Sequence, residues 1–273
     1  MDIAVFSILG LLAVYSIAFF LQEKMIFLPQ RLDKNHRFNF DQEFEELNLS
    51  SYDGTVLNSL LFKTTNPKGL IFYLHGNGGC LSSWGEVAST YTGLNYDVFL
   101  LDYRGYGKSD GAISSEKQLS LDVQVVYDEL KKKYAEDQII VLGYSLGTGL
   151  AVKLAAANNP NLLILQAPFF SLKNIILRRC YWTIPPFILK YKFETNRYID
   201  TCKMPIVLFH GVDDEVIPYK SSLMLQAQLK PNDLLITLHG QGHRKMTENL
   251  QYQAELGKIL WKQQTKDSIY IAT

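Results

Sequence analysis

The chain has 273 residues, 47% of them hydrophobic, enough to bury a full core within one large domain. Its 27 Lys plus Arg balance 27 Asp plus Glu, so no net field gathers nucleic acid or an acidic partner. The three cysteines, Cys80, Cys180 and Cys202, lack CxxC spacing and leave one over in any disulfide scheme, which fits a reducing compartment.

From Ile3 to Leu21 the sequence IAVFSILGLLAVYSIAFFL carries no charge. As a helix it measures about 28 Å, close to the hydrocarbon thickness of a bilayer. Only Ser7 and Ser16 interrupt it, where a buried core helix would carry a polar stripe. Met1-Asp2 supplies no basic n-region and Glu23-Lys24-Met25 no small-residue cleavage site, so the segment predicts a retained single-pass anchor and not a signal peptide. Lys24, Arg31, Lys34 and Arg37 follow it, which by the positive-inside rule places the rest of the chain on the cytoplasmic side. The expected division is an anchoring helix over 1–23 and one globular domain over 24–273, with the anchor serving location and not chemistry.

After the anchor, FEELNL and TVLNSLLF read as an antiparallel pair around the turn SYDG, because Asp53-Gly54 is a hairpin signal. The runs LIFYLHG, DVFLLDYRG, IIVLGYS, LLILQAP, IVLFHG and LLITLHG follow, short and apolar as strands covered on both faces are. One intervening helix is clear: Leu119, Val123, Val126 and Leu130 recur at helical spacing behind the capping pattern Ser115-Glu116-Lys117-Gln118. Such alternation predicts an α/β fold with a mostly parallel sheet and a ligand site beyond the carboxyl ends of the strands.

Gly143-Tyr144-Ser145-Leu146-Gly147 has the G-x-S-x-G form and falls where a strand turns into a helix. There a serine hydroxyl is exposed, and the amide of Leu146 at the helix N-terminus can donate to a developing oxyanion. A serine needs a base and an orienting carboxylate. His243, in LHGQGHRKMTENL after the last strand, is the leading base, while His75 and His210, each before a glycine, read as loop-fixing residues. His36 lies near the anchor and His239 within the last strand. Asp213, Asp214 and Glu215 follow IVLFHG, and the residues alone leave the choice of acid open. The order Ser, acid, His is nevertheless that of the α/β-hydrolase arrangement. YLHGNGGCLSSW lacks the endings of a phosphate-binding loop, but backbone amides around Asn77 and Gly78 can complete an oxyanion hole with Leu146.

Together HGNGG, DYRGYGKSDG, GYSLG, HGVDDEVIP and GQGH resemble the α/β-hydrolase superfamily and, within it, the membrane-anchored Bem46-like and ABHD13- and ABHD17-like serine hydrolases. The resemblance covers nearly the whole chain, including FLQEKMIFLPQRL. It implies the α/β-hydrolase fold, with about eight strands, flanking helices and a short cap at about 169–200. The family pattern H-G-x-x-D-x-V-I-P places the acid on Asp214, with Ser145 as nucleophile and His243 as base. DYRGYGKSDG matches a structural loop, so Asp102 and Asp110 carry no catalytic role. An acyl ester or thioester of a lipid or lipidated protein is the implied substrate, cleaved through an acyl-enzyme with no cofactor or metal. A serine peptidase of the same fold and an idle membrane-tethered scaffold are the competing readings. Ser145 disfavours the epoxide hydrolases and dehalogenases of this fold, which attack with a carboxylate.

Overall fold

In the computed structural model, which describes residues 3–179 and 188–270, the apolar runs pair into one sheet. The strands are β1 (Leu28–Pro29), β2 (Phe44–Ser50), β3 (Val56–Phe62), β4 (Leu70–Leu74), β5 (Gly78–Gly79), β6 (Asp97–Leu101), β7 (Ile139–Tyr144), β8 (Leu162–Gln166), β9 (Ile206–Gly211) and β10 (Leu234–Leu238). The helices are α1 (Ile3–Phe20), α2 (Gln22–Ile26), α3 (Leu81–Trp84), α4 (Ala88–Thr92), α5 (Glu116–Lys131), α6 (Leu146–Ala157), α7 (Leu172–Arg179), α8 (Thr195–Tyr198), α9 (Lys220–Gln226) and α10 (Leu250–Tyr270). Eight strands order as β10-β9-β8-β7-β4-β6-β3-β2. Only the β2/β3 and β3/β6 pairs are antiparallel, the first in the hairpin register Leu47↔Ser59.

Strict alternation explains why these runs are apolar throughout. In β4, Leu70, Phe72 and Leu74 enter the core that holds α5 and α6, while Ile71 and Tyr73 enter the core that holds Tyr91 of α4 and Tyr252 of α10. Both faces are covered, so neither set of positions meets water. Helix α5 begins where its sequence requires, with Ser115 Oγ accepting the Gln118 amide at 3.1 Å.

Two features depart from expectation. The nineteen-residue span expected over Ile3–Leu21 is corrected: α1 ends at Phe20 after 18 residues. No helix among the described residues is long and apolar enough to cross a membrane. The chain turns at Leu21 because Gln22 is drawn into the protein, 6% exposed, where its side chain bonds the backbone of Ile188 and Lys190. In addition, β1 pairs parallel with β5, fastening the N-terminal segment to the glycine-rich loop. Of the cap region, the TIPPF stretch at 183–187 and Cys180 lie outside the described residues.

The DYRGYG loop is held by a buried ion pair. Arg104 donates from Nε and Nη2 to both oxygens of Asp122, each at 2.6 Å, and forks to Asp53 at 2.8 and 3.0 Å. Removing one charge strands the other away from water, a loss of about 3 kcal/mol or more. Asp122→Asn is therefore expected to lower the urea midpoint by that equivalent, and an unchanged midpoint would refute the role given to this pair.

Candidate active site

The first element of the site is a sharp turn from β7 into α6. Ser145 takes φ 52° and ψ −116°, in backbone space that costs a residue with a Cβ about 1–3 kcal/mol. The surroundings hold it there: its amide donates to the Gln166 carbonyl at 2.9 Å, and its carbonyl accepts from the Thr148 amide and hydroxyl at 3.0 and 2.6 Å. Gly147 is needed for close approach, since a Cβ there would lie 2.0 Å from the Leu74 carbonyl oxygen.

The structure brings Ser145, Asp214 and His243 together from three strand ends. His243 Nε2 lies 3.1 Å from Ser145 Oγ, and its Nδ1 lies 2.7 Å from Asp214 Oδ2. Asp214 Oδ1 accepts the amides of Val216 and Ile217 at 2.9 and 2.7 Å. His210 Nε2 approaches Oδ2 at 3.3 Å while also bonding the Ile217 carbonyl at 2.9 Å. Burial works against charge on Asp214, but the bonds from His210, His243 and the Ile217 amide outweigh it and hold its carboxyl well below the usual carboxylate range. Asp213 points to solvent and Glu215 is exposed. Tyr144 hydroxyl bonds the His243 carbonyl, fixing the backbone that presents the imidazole.

The remaining histidines are elsewhere. His75 bonds the Gly76 carbonyl through Nδ1 at 2.7 Å and stacks on Trp84. His210 also bonds Ser222 Oγ at 2.6 Å. His36 packs against Phe38, and His239 is exposed. Asp102 accepts the Leu81 amide at 3.1 Å, and Asp110 pairs with Lys34 at 2.6 Å. Among the described residues no group of three or more His, Cys, Asp or Glu could hold a metal ion.

Leu146 opens α6, so its amide has no acceptor within the helix. In the facing loop, Tyr106 hydroxyl donates to the Asn77 carbonyl at 2.7 Å, as does the Leu28 amide at 2.9 Å. Because a peptide is planar, this carbonyl anchoring fixes the opposite direction of the Gly78 N–H. Two cavities meet at Ser145. One, about 300 Å³, is almost wholly apolar, with Leu146, Phe169, Ile175, Leu189 and Ile217 among its walls. The other, about 850 Å³, is polar and includes His243, Arg244, Lys245, Glu86 and Gln166. Asn77 borders both, Gly78 the polar one and Leu146 the apolar one.

Sequence reasoning missed two groups. Beneath the nucleophile, Gln166 Nε2 donates to Tyr91 and Tyr252 hydroxyls at 3.1 and 2.5 Å, a buried network assembled across long separations. Ala18, Gln22, Met25 and Ile26 line the apolar cavity, so the N-terminal segment does more than set location. A lone glutamine just after an apolar helix was the available signal for the second.

A serine on a strained strand-to-helix turn, set on a mostly parallel eight-stranded sheet, defines an α/β-hydrolase. The Hydrolase_4 family model, described as serine aminopeptidase S33, matches residues 65–201, half of the chain, and the chain belongs to that family. It is similar to protein bem46 of Schizosaccharomyces pombe, 29% identical over 230 residues that cover 74% of this chain and 73% of that one. It is also similar to the lysophosphatidylserine lipase ABHD12 of Danio rerio, 28% identical over 179 residues, 58% of this chain but only 46% of the relative. An esterase of Pyrococcus furiosus shares the fold with a TM-score of 0.71 at 18% identity, covering 88% of this chain and 98% of the esterase.

Proposed function

We propose that the protein is a serine hydrolase of acyl esters or thioesters, working through an acyl-enzyme on Ser145. The observation that carries this reading is the Ser145–His243–Asp214 chain of contacts, at 3.1 and 2.7 Å, standing where an apolar and a polar cavity meet. Ser145 Oγ attacks the acyl carbon as its proton passes to His243 Nε2, and Asp214 stabilises the imidazolium. The oxyanion takes hydrogen bonds from the amide of Leu146 and from the Asn77–Gly78 loop. Collapse breaks the bond to the leaving oxygen or sulfur, which receives the proton from His243. Water, deprotonated by the same imidazole, then frees the acid and restores Ser145.

An ester of a lipid or of a lipidated protein suits these walls, with the acyl part in the apolar cavity and the leaving group in the polar one. The zebrafish relative's name as a lipase agrees with this division. The peptidase reading wants an acid for a substrate amine, and none of the described residues lining the apolar cavity is acidic. We assign membrane attachment to α1, which exposes Phe6, Leu9, Leu12, Val14, Ile17 and Phe20, with the rest of the chain on the cytoplasmic side.

The test is a panel of acyl esters and thioesters from acetyl to palmitoyl, together with an aminoacyl amide and a fluorophosphonate probe. Hydrolysis of esters or thioesters with covalent labelling is expected. Cleavage of the amide alone would favour the peptidase, and neither turnover nor labelling would favour the idle scaffold. The protein should stay with membranes through carbonate washing; release would remove the attachment and leave the hydrolase reading standing.

A further inference from the structure

The apolar cavity is not built by the hydrolase core alone. Ala18 from α1 and Gln22, Met25 and Ile26 from α2 form one wall, facing Leu172, Ile175 and Ile176 of α7. A polar side chain is costly in such a wall unless both ends of its amide are bonded. Gln22 meets that condition: Nε2 donates to the Ile188 carbonyl and Oε1 accepts the Lys190 amide, both at 2.8 Å. Its neighbour Glu23 accepts from Lys190 Nζ at 3.1 Å and from the Tyr191 hydroxyl at 3.0 Å. On the opposite side, Asn77 Nδ2 donates to the Ile26 carbonyl at 3.1 Å, and Leu28 and Pro29 pair with Gly78 and Gly79. The segment is therefore fastened both to the residues after 187 and to the loop beside Ser145. A mere tether needs neither attachment.

The geometry points to Ala18–Leu28 as the specificity-determining wall of the acyl site, shaped for one unbranched acyl chain of medium to long length. This rests on the hydrolase reading given above. About 300 Å³ corresponds to about ten water-sized groups, room for one such chain and not for the paired chains of a diacyl lipid. Gln22 and Glu23 act as positioning residues. They hold the wall at a set distance from α7, so chain length is read between an element at the start of the sequence and one past its middle. The N-terminal segment thereby joins an exposed apolar surface to the interior of the acyl site.

The test compares full-length wild type with Ala18→Phe, which places a ring in the wall. The readout is the ratio of kcat/KM for p-nitrophenyl laurate to that for p-nitrophenyl butyrate, and it is expected to fall about tenfold or more, as pocket-filling changes do. An unchanged ratio overturns the assignment, whether both rates stay or both fall together. Met25→Trp, at a residue 63% exposed and so with space around it, repeats the measurement should Ala18→Phe fail to fold. Binding of the fluorescent fatty acid cis-parinaric acid supplies a readout that needs no turnover. Weaker binding by the variants supports the wall even if wild type hydrolyses no ester, a result that would sink the hydrolase reading alone. Equal binding by wild type and both variants, or none by wild type, removes the wall while ester hydrolysis keeps the hydrolase reading.

Discussion

Ser145→Ala is expected to lower kcat for any hydrolysed ester by about 10⁵- to 10⁶-fold and to abolish fluorophosphonate labelling, while leaving the melting temperature within a few degrees. The magnitude follows from what loss of the nucleophile costs in serine hydrolases whose catalytic groups act as a unit. The fold should survive because the bonds that hold the turn use backbone groups of residue 145, to Gln166 and Thr148, and not its hydroxyl. The side-chain oxygen meets His243 Nε2. Retained labelling in the alanine variant would place the nucleophile elsewhere, and the contacts around Ser145 would then need another explanation.

Asp214→Asn and Asp213→Asn should differ by about a thousandfold or more in kcat, although the residues are adjacent. In Asp214 the two oxygens have separate duties: Oδ1 accepts two amides, and Oδ2 faces the rings of His210 and His243. Asparagine can keep its oxygen on the amide side, but its NH₂ then faces His243 Nδ1 and forces that nitrogen to accept. The proton moves to Nε2, where it points at Ser145 and cannot take a proton from it, a tautomer fault that costs about 10⁴-fold in serine triads. Asp213 is exposed, and its amide, unchanged by the substitution, makes the bond to Gln241. Its variant should stay within about tenfold of wild type. The reverse ranking, measured as kcat on one ester, would make Asp213 the orienting acid.

The same carboxylate ties stability to pH. Its folded pKa is depressed, so the charged form stabilises the fold above the unfolded value of about 3.9, and that contribution disappears as pH falls through the lower folded value. The stability gap between wild type and Asp214→Asn should be full at pH 7 and narrow below about pH 4. A gap that widens on acidification would contradict the sign.

Much of the architecture is legible because burial on both faces makes each central strand an unbroken apolar run bounded by turn residues, as LIFYL and LLILQ are. Ser145 and His243 stand out for a related reason: a serine between glycines at a strand end has no packing use, and a histidine in a loop after the last strand has little else to contact. The acid is different. Asp213 and Asp214 have one composition and one neighbourhood in the chain, and only the direction of the turn, which buries one and exposes the other, separates them. The N-terminal wall left still less trace. Its clamp joins positions 166 residues apart through one side chain, and the two residues of β1, one of them proline, are too few for any periodicity to register. Apolar residues that line a cavity and apolar residues that face lipid look the same in a sequence.

The left-handed backbone at residue 145 also bears on how such a chain is maintained through mutation. Glycine enters φ 52° without steric penalty, so a glycine there would relieve strain of about 1–3 kcal/mol while removing the hydroxyl. Selection for folding alone therefore drifts toward a sturdier chain that cannot be acylated. Serine at this position is a standing handicap to the fold, offset only while the hydroxyl is used. A lineage that had turned the protein into a silent tether would be free to shed that handicap in a single codon change.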